Sequence, residues 1–347
     1  MRTTTGLQSL DPNSNVLTRV TIERRDLRPD DIAVRIDYCG VCHSDLHRIH
    51  GMLGEKDLVP GHEATGVVVA TGPAVTGFAV GERVAIGTII DSCGECAMCE
   101  AGQENYCYNQ ATPTYGGTDR VDGTPTKGAY SREYVLREKF AFHLPDGLAP
   151  ASAAPLLCAG VSVWEPLRAA GVGPGSRVAV AGLGGLGHLA VKLASALGSE
   201  VTVLSRSAAK EPDALSLGAA GLLVTTDEAR TAAAQGRFDL ILDTIPADHE
   251  LTPLIGMLGL DGTLCVLGNP LLAGPKLWEL GAGRKKLTSS GTGGLRQTIE
   301  MLGFCAAHGI AADVEILPSS EIETALNRLA DSDVRYRFVL DMSDLDA

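Results

Sequence analysis

No apolar run in this chain approaches the roughly 20 residues that a membrane-spanning helix needs, so no transmembrane anchor is expected. Positive charge is scarce as well: Lys and Arg number 29 against 42 Asp and Glu, a formal net charge of −13. That balance gives no counterion-release drive toward nucleic acid and repels anionic lipid, which leaves a small molecule as the expected partner. Residues 1–13 carry Thr, Gln, Asp and Pro where an apolar leader would stand, so a cytoplasmic location is expected. A repeat with a period of roughly 20 to 50 residues is missing too, which argues against a solenoid or a propeller. Aromatic residues make up only 4% of the chain, a scarcity that bears on the substrate.

What the chain does have is 347 residues, 45% of them hydrophobic, enough for about two domains of roughly 150 residues with real cores. Up to about residue 150, short β-branched runs at 16–22, 32–38, 65–71 and 83–86 are broken by Gly and Pro, the pattern of an irregular β-rich domain. Ala- and Leu-rich helical spacing then alternates with strand-like runs at 177–181, 201–204, 221–224, 240–243, 263–267 and 286–289. Six such repeats imply a doubly wound parallel sheet of the Rossmann type. A helix over 295–308, a strand near Val314, a helix over 320–330 and a strand over 336–342 close the chain. This tail is expected to return to the first domain.

Nine cysteines in a reducing compartment are better read as metal ligands or core thiols than as disulfides. Cys93, Cys96, Cys99 and Cys107 can surround one tetrahedral Zn²⁺ if the backbone turns sharply, which Gly94 and Gly102 permit. Paired disulfides and an iron–sulfur cluster are the competing readings. An all-cysteine loop in a reduced setting favours structural zinc, closed to substrate because sulfur fills every position. Cys42, His62 and Cys158 form a dispersed second set, with two thiolates, one imidazole and a fourth position open as in a catalytic site. Taken singly, each has a plainer reading: a loop thiol, a turn residue and a core thiol.

Gly182-Leu183-Gly184-Gly185-Leu186-Gly187 follows a strand and opens a helix, the setting in which G-x-G-x-x-G binds a dinucleotide pyrophosphate. An ordinary glycine-rich turn is the alternative. At the end of the second strand an NAD-binding chain would place Asp or Glu. Here Ser205, Arg206 and Ser207 stand, with Lys210 beyond, a set suited to the 2′-phosphate of NADP(H).

Together, Gly40-Val41-Cys42-His43-Ser44-Asp45-Leu46-His47, Pro60-Gly61-His62-Glu63, the four-cysteine lobe, Pro155-Leu156-Leu157-Cys158-Ala159-Gly160, the glycine loop and the terminal Val334-Arg335-Tyr336-Arg337-Phe338 closely resemble the zinc-dependent medium-chain alcohol dehydrogenases. The cinnamyl-alcohol-dehydrogenase-like subfamily is the best match. The resemblance spans nearly the whole chain and implies an α/β fold in two parts. A GroES-like catalytic domain (1–152 and 293–347) carries a structural zinc lobe, and a Rossmann domain (153–292) interrupts it. It also implies two Zn²⁺ per chain, NADP(H), a homodimer, and hydride transfer between the cofactor and an alcohol/aldehyde pair, chiefly as aldehyde reduction.

The roles carried by the resemblance are specific. Cys42, His62 and Cys158 hold the catalytic zinc, which polarises the substrate oxygen, and Glu63 stands beside the metal as a possible transient ligand. Ser44 and His47 match the proton relay; helix capping and a surface imidazole are their plainer readings. Gly291-Thr292-Gly293-Gly294 and Thr112 stand where relatives acting on aryl alcohols carry bulkier residues, which weakens the case for a cinnamyl substrate. Met52, Leu53, Tyr115 and Leu271 are candidates for the pocket wall. Reduction of an imine or an activated double bond on the same scaffold is a second reading, and a non-catalytic dinucleotide-binding protein a third. Cys39, Cys265 and Cys305 are assigned to packing.

Overall fold

The computed structural model describes residues 1–51, 57–268 and 274–346, and within them two units separate by their internal contacts. The first comprises Met1–Cys158 with Gly294–Ala347, the second Ala159–Gly293. The tail therefore belongs with the N-terminal part of the chain. Residues 153–158 go with the first unit because the short helix Pro150–Ala153 and the one-turn helix Ala154–Leu157 pack on its strands.

At the centre of the first unit is Asp31–Gly40, a strand buried along most of its length. Its ten residues exceed the usual five or six, and they serve three partners, all antiparallel. Ala64–Thr71 runs along one side, Glu133–Arg137 pairs with residues 31–35 on the other, and Arg337–Asp341 takes over at residues 38–40. Arg83–Ile86 and Ala141–His143 extend the sheet beyond Ala64–Thr71, and Val314–Pro318 joins Arg337–Asp341 in parallel. Gly66 lets the central pair close up: a Cβ there would lie 2.0 Å from the Arg35 carbonyl oxygen. Arg2–Ser9 and Leu17–Arg24 form a separate antiparallel ribbon. Sequence patterning misses Arg2–Ser9 and Glu133–Arg137, because the first has a single large apolar residue, Leu7, among polar ones and the second has charges at both ends of a short apolar run.

Six parallel strands make the second unit: Arg177–Ala181, Glu200–Ser205, Gly221–Val224, Phe238–Asp243, Leu258–Val266 and Lys286–Ser289. Numbered by their appearance in this unit, their spatial order is 3-2-1-4-5-6, the Rossmann arrangement. The inner strands are apolar on both faces, as expected where helices cover both sides. The order reverses between Arg177–Ala181 and Phe238–Asp243, and the carboxyl ends of strands at such a switch point are where ligands bind.

Two further elements shift slightly from the sequence expectation. The fifth strand starts five residues early at Leu258, and a 3₁₀ turn at Ser319–Glu321 precedes the last helix, Ile322–Ala330. No helix among the described residues is long and apolar enough to cross a membrane.

Candidate active site and metal centres

The central strand of the first unit leads straight into Val41 and Cys42, and Cys42 starts the helix His43–Ile49. On the neighbouring strand, Gly61, His62 and Glu63 immediately precede Ala64. The Gly40 N–H donates to the Glu63 carbonyl at 2.8 Å, which sets the two segments side by side. Cys158 arrives from elsewhere, at the end of the one-turn helix Ala154–Leu157, whose turn is braced by Pro155.

The result is a cluster of donors far apart in sequence. Cys42 Sγ lies 3.8 Å from Cys158 Sγ, and His62 Nε2 lies 3.2 Å from Cys158 Sγ. All three donor atoms fall within 4.8 Å of one another, and all three residues are buried. A tetrahedral zinc with Zn–S near 2.3 Å and Zn–N near 2.0 Å spaces its ligand atoms by roughly 3.5 to 3.8 Å. The set fits that ion, with one position left for another ligand. The hydrogen bond between the two thiols pulls Cys42 well below the usual thiol range and pushes Cys158 well above it.

Asp45, fully buried in the first turn of the same helix, ties the cluster together. Its Oδ1 lies 3.0 Å from His62 Nδ1 and accepts the Gly61 N–H at 3.1 Å. Its Oδ2 accepts the Cys42 N–H at 3.1 Å and the Tyr130 hydroxyl at 3.0 Å. A carboxylate on Nδ1 fixes the tautomer that presents a lone pair on Nε2. Burial alone would lower the His62 pKa, but Asp45 and Cys42 together raise it well above the usual value.

Glu63 is also fully buried, with Oε1 ion-paired to Arg337 and Oε2 lacking a hydrogen bond. Burial pushes its carboxyl up to about 7 against the pull of Arg337. Gly40 makes room for it, since a Cβ there would lie 2.5 Å from Glu63 Oε1. Ser44 Oγ stands 3.7 Å from Cys42 Sγ. Ser44 and His47 are both exposed and three residues apart on the helix His43–Ile49, so they share a face.

The four-cysteine lobe is a second donor set. Cys93 Sγ lies 3.5 Å from Cys107 Sγ and 3.9 Å from Cys99 Sγ, and Cys96 Sγ lies 3.6 Å from Cys99 Sγ. A disulfide would require about 2.05 Å, and all nine cysteines are free. A zinc tetrahedron of four sulfurs gives edges of about 3.8 Å, so the donors fit. Backbone hydrogen bonding, first from Glu95, lowers Cys93 to about 6, which favours the thiolate a metal needs. Gly94 and Gly102 take the sharp turns at φ +78° and +73°. The buried Glu104 accepts the Leu295 N–H at 3.0 Å, fastening the lobe to the start of the helix Leu295–His308. Gly294 is a glycine for the same junction, since its Cβ would lie 2.0 Å from the Gly102 carbonyl oxygen.

In the second unit the glycine loop follows Arg177–Ala181 and opens the helix Gly187–Ala196. Gly182 has φ +91°, and a Cβ on Gly187 would lie 2.2 Å from the Gly182 carbonyl oxygen. A Cβ at Gly184 would meet nothing within 4 Å, the open approach that a pyrophosphate requires. Gly185 and Leu186 complete the turn before the helix. Arg206, Ser207 and Lys210 are exposed at the carboxyl end of Glu200–Ser205, and the Lys210 Nζ donates to the Leu183 carbonyl at 3.4 Å. Ser205 donates to the Ser207 carbonyl at 3.1 Å, while the Ser207 hydroxyl oxygen accepts the Ala209 N–H at 3.2 Å. No carboxylate follows that strand until Glu211.

Residues 28–146 match the family model of the alcohol dehydrogenase GroES-like domain, and residues 185–306 match that of the zinc-binding dehydrogenases. The chain belongs to the zinc-binding alcohol dehydrogenase family. This dehydrogenase is 45% identical to the probable formaldehyde dehydrogenase of Bacillus subtilis, over 94% of both chains. It is also 45% identical to an NADP-dependent alcohol dehydrogenase of Mycobacterium bovis, over 95% of this chain and 96% of that one. A solved cinnamyl alcohol dehydrogenase from Sorghum bicolor superposes with a TM-score of 0.93 at 39% identity, covering 98% of each chain. The fold is that of the medium-chain dehydrogenases, and the similarity places the chain in their cinnamyl-alcohol-dehydrogenase-like group.

Several residues of this dehydrogenase escape the sequence reading or differ from it. Asp45, Tyr130 and Arg337 carry no role there, yet all three stand at the dispersed donor set. Asp45 had a local signal, since it lies three residues after Cys42 at a helix start; Tyr130 and Arg337 are brought in by long-range strand pairing and had none. Thr112 is buried on the short strand Thr112–Pro113, which pairs with Ile89–Asp91. Tyr115 is buried with its ring 5.6 Å from that of His62 and 4.8 Å from the Arg48 guanidinium. Met52, Leu53 and Leu271 lie outside the described residues. Cys39, Cys265 and Cys305 are buried, and burial raises Cys265 and Cys305 to about 12, in keeping with inert packing thiols.

Proposed function

We propose that this dehydrogenase depends on NADP(H) and two zinc ions per chain, interconverts primary alcohols and aldehydes, and works chiefly as an aldehyde reductase. The reading rests above all on the convergence of Cys42, His62 and Cys158, with Asp45 holding the imidazole. When bound, zinc supplies a Lewis acid to the substrate oxygen and NADPH supplies the hydride. Cys42 Sγ, Cys158 Sγ and His62 Nε2 hold the ion in the first unit, and Asp45 Oδ1 keeps the His62 proton on Nδ1. Reduction of an aldehyde also needs a proton at oxygen. His47 takes it from solvent and Ser44 Oγ delivers it, along the shared helix face. Glu63, short of a hydrogen bond at Oε2, is the spare carboxylate beside the ligands. Cys93, Cys96, Cys99 and Cys107 hold the second ion and leave no position for substrate.

In the second unit, Gly182, Gly184, Gly185, Leu186 and Gly187 carry the pyrophosphate. Arg206, Ser207 and Lys210 meet the 2′-phosphate, with Ser205 shaping their turn. Two charge-assisted bonds of about 1.5 kcal/mol each correspond to roughly a hundredfold in affinity. Arg206→Asp is therefore expected to raise KM for NADPH about a hundredfold while the exposed substitution leaves the fold intact. Comparable activity of the native enzyme with NADH would count against the assignment.

The relatives' names span formaldehyde and cinnamyl alcohol dehydrogenases. A panel of aliphatic and aryl aldehydes, imines and enones with NADPH tests the reaction class. Turnover of aldehydes is expected; turnover confined to imines or enones would replace the reading. A homodimer is supported by the exposed edge strand Lys286–Ser289, whose outer side pairs with no strand among the described residues and needs cover, and by the exposed Leu277 and Trp278 in the same unit. Sedimentation should give twice the 36.1 kDa chain mass, and a monomer at micromolar concentration would contradict it. A cytoplasmic setting suits the nine reduced thiols.

A further inference from the structure

Asp45 is the hub of the dispersed donor set, and its four hydrogen-bond donors saturate the acceptor sites of one carboxylate. Three of them, the Cys42 N–H, the Gly61 N–H and His62 Nδ1, belong to or adjoin the metal-ligand segments themselves. The fourth, the Tyr130 hydroxyl at 3.0 Å from Oδ2, comes from a different part of the chain. We infer that Tyr130 is a positioning residue for the three-donor metal site, acting through Asp45. The inference rests on the reading that Cys42, His62 and Cys158 hold zinc.

The geometry of Tyr130 suits that role at both ends. Its backbone N–H donates to the Pro60 carbonyl at 2.9 Å, and the preceding Ala129 N–H donates to the Gly61 carbonyl at 2.9 Å. The turn that delivers His62 is thus clamped by the same residue whose hydroxyl reaches Asp45. Gly61 is part of the fit: at φ +96°, a Cβ there would lie 2.6 Å from Tyr130 Cδ1. The hydroxyl also stands 3.3 Å from the Gly40 carbonyl oxygen, on the strand exit that leads to Cys42. Tyr130 is fully buried, and burial drives its pKa well above the usual range, so the hydroxyl remains a donor.

Without that hydroxyl, Oδ2 keeps only the Cys42 N–H. The terminal carboxylate torsion of Asp is broad, and the Tyr130 bond is what narrows it. A looser carboxylate holds the imidazole less firmly and lets the ion leave more readily. Loss of a partner that directly contacts a ligand typically weakens a metal site about 10- to 100-fold. Tyr130 acts one bond further out, so roughly a five- to tenfold effect is expected.

Tyr134 supplies an internal control. It is a buried tyrosine four residues along, whose hydroxyl donates to the Thr114 carbonyl at 2.6 Å, with no bond to Asp45. The experiment loads wild type, Tyr130→Phe, Tyr134→Phe and Asp45→Asn with zinc and follows release to a chromophoric chelator. Visible spectra of the cobalt-substituted proteins report the three-donor site apart from the all-sulfur one. Wild type and Tyr134→Phe should each release two ions at matching rates. Tyr130→Phe should release one of the two roughly five- to tenfold faster, with a shifted cobalt spectrum for that site alone, and Asp45→Asn should release it faster still.

Release from Tyr130→Phe at the wild-type rate would overturn the role of Tyr130, as would an equal acceleration in Tyr134→Phe. If wild type itself holds only the four-cysteine ion, the underlying reading of Cys42, His62 and Cys158 fails, and the Tyr130 inference falls with it.

Discussion

Replacing Cys158 with serine is expected to lower kcat/KM for aldehyde reduction by about a thousandfold or more and to reduce bound zinc from two ions per chain to one. The magnitude follows from the several kcal/mol that a metal contributes to charge stabilisation in the transition state, at about 1.4 kcal/mol per decade of rate. Cys158 Sγ is the atom that both other donors approach, at 3.8 Å and 3.2 Å. Its loss leaves two ligands where an open catalytic site needs three. NADPH binding should survive, because the glycine loop and Arg206 lie in the second unit, whose own core is untouched. Steady-state kinetics, zinc analysis and cofactor titration on one preparation give all three readings. A variant that kept wild-type turnover would remove Cys158 from the mechanism.

The second large effect belongs to the four-cysteine lobe and concerns stability. Structural zinc supplies about 10 to 16 kcal/mol of apparent binding free energy in zinc-finger peptides, against a typical domain stability of only about 5 to 15 kcal/mol. Cys99→Ser is therefore expected to lose the second ion and unfold the lobe. Limited proteolysis should then cut between residues 93 and 107, and the thermal midpoint should fall steeply. The damage should spread, because Glu104 holds the N-terminus of Leu295–His308 and the Gly102 carbonyl packs against Gly294. A Cys99→Ser protein that melts like wild type and resists protease there would show that the lobe needs no metal.

Legibility in the sequence followed the distance over which each feature is built. The lobe's four ligands fall within 15 residues, so spacing alone named them. The Rossmann strands Arg177–Ala181, Gly221–Val224 and Lys286–Ser289 appear at the residues indicated by short strand-like runs alternating with helical spacing, and the glycine loop sits between a strand and a helix as its pattern requires. Cys42, His62 and Cys158 were different: singly they read as packing or turn residues, and only the family resemblance grouped them. What brings them together is long-range pairing, in which Cys39 lies opposite Ala64 on adjacent strands and a proline-braced turn delivers Cys158.

The residues that support the donor set were the least legible. Asp45 owes its importance to four hydrogen bonds, three of which arise beyond its own helix start or from the ligand turn, and none of which a carboxylate's identity announces. Arg337 reaches Glu63 across 274 positions, and Tyr130 reaches Asp45 across 85. Their side chains are ordinary in composition and become meaningful only once the central strand has gathered its three partners. Thr112, near the position where relatives acting on aryl alcohols carry an aromatic, is buried in a two-strand ladder, a placement no local pattern announces.

Zinc content measured alongside NADPH-dependent aldehyde turnover, on one freshly purified sample, tests the central claim most directly. Two zinc ions per chain are expected, with activity falling in proportion as the three-donor site, which has a fourth position free for another ligand, is emptied by a chelator and returning when zinc is restored. Full turnover by a chain that holds only the four-cysteine ion would contradict it.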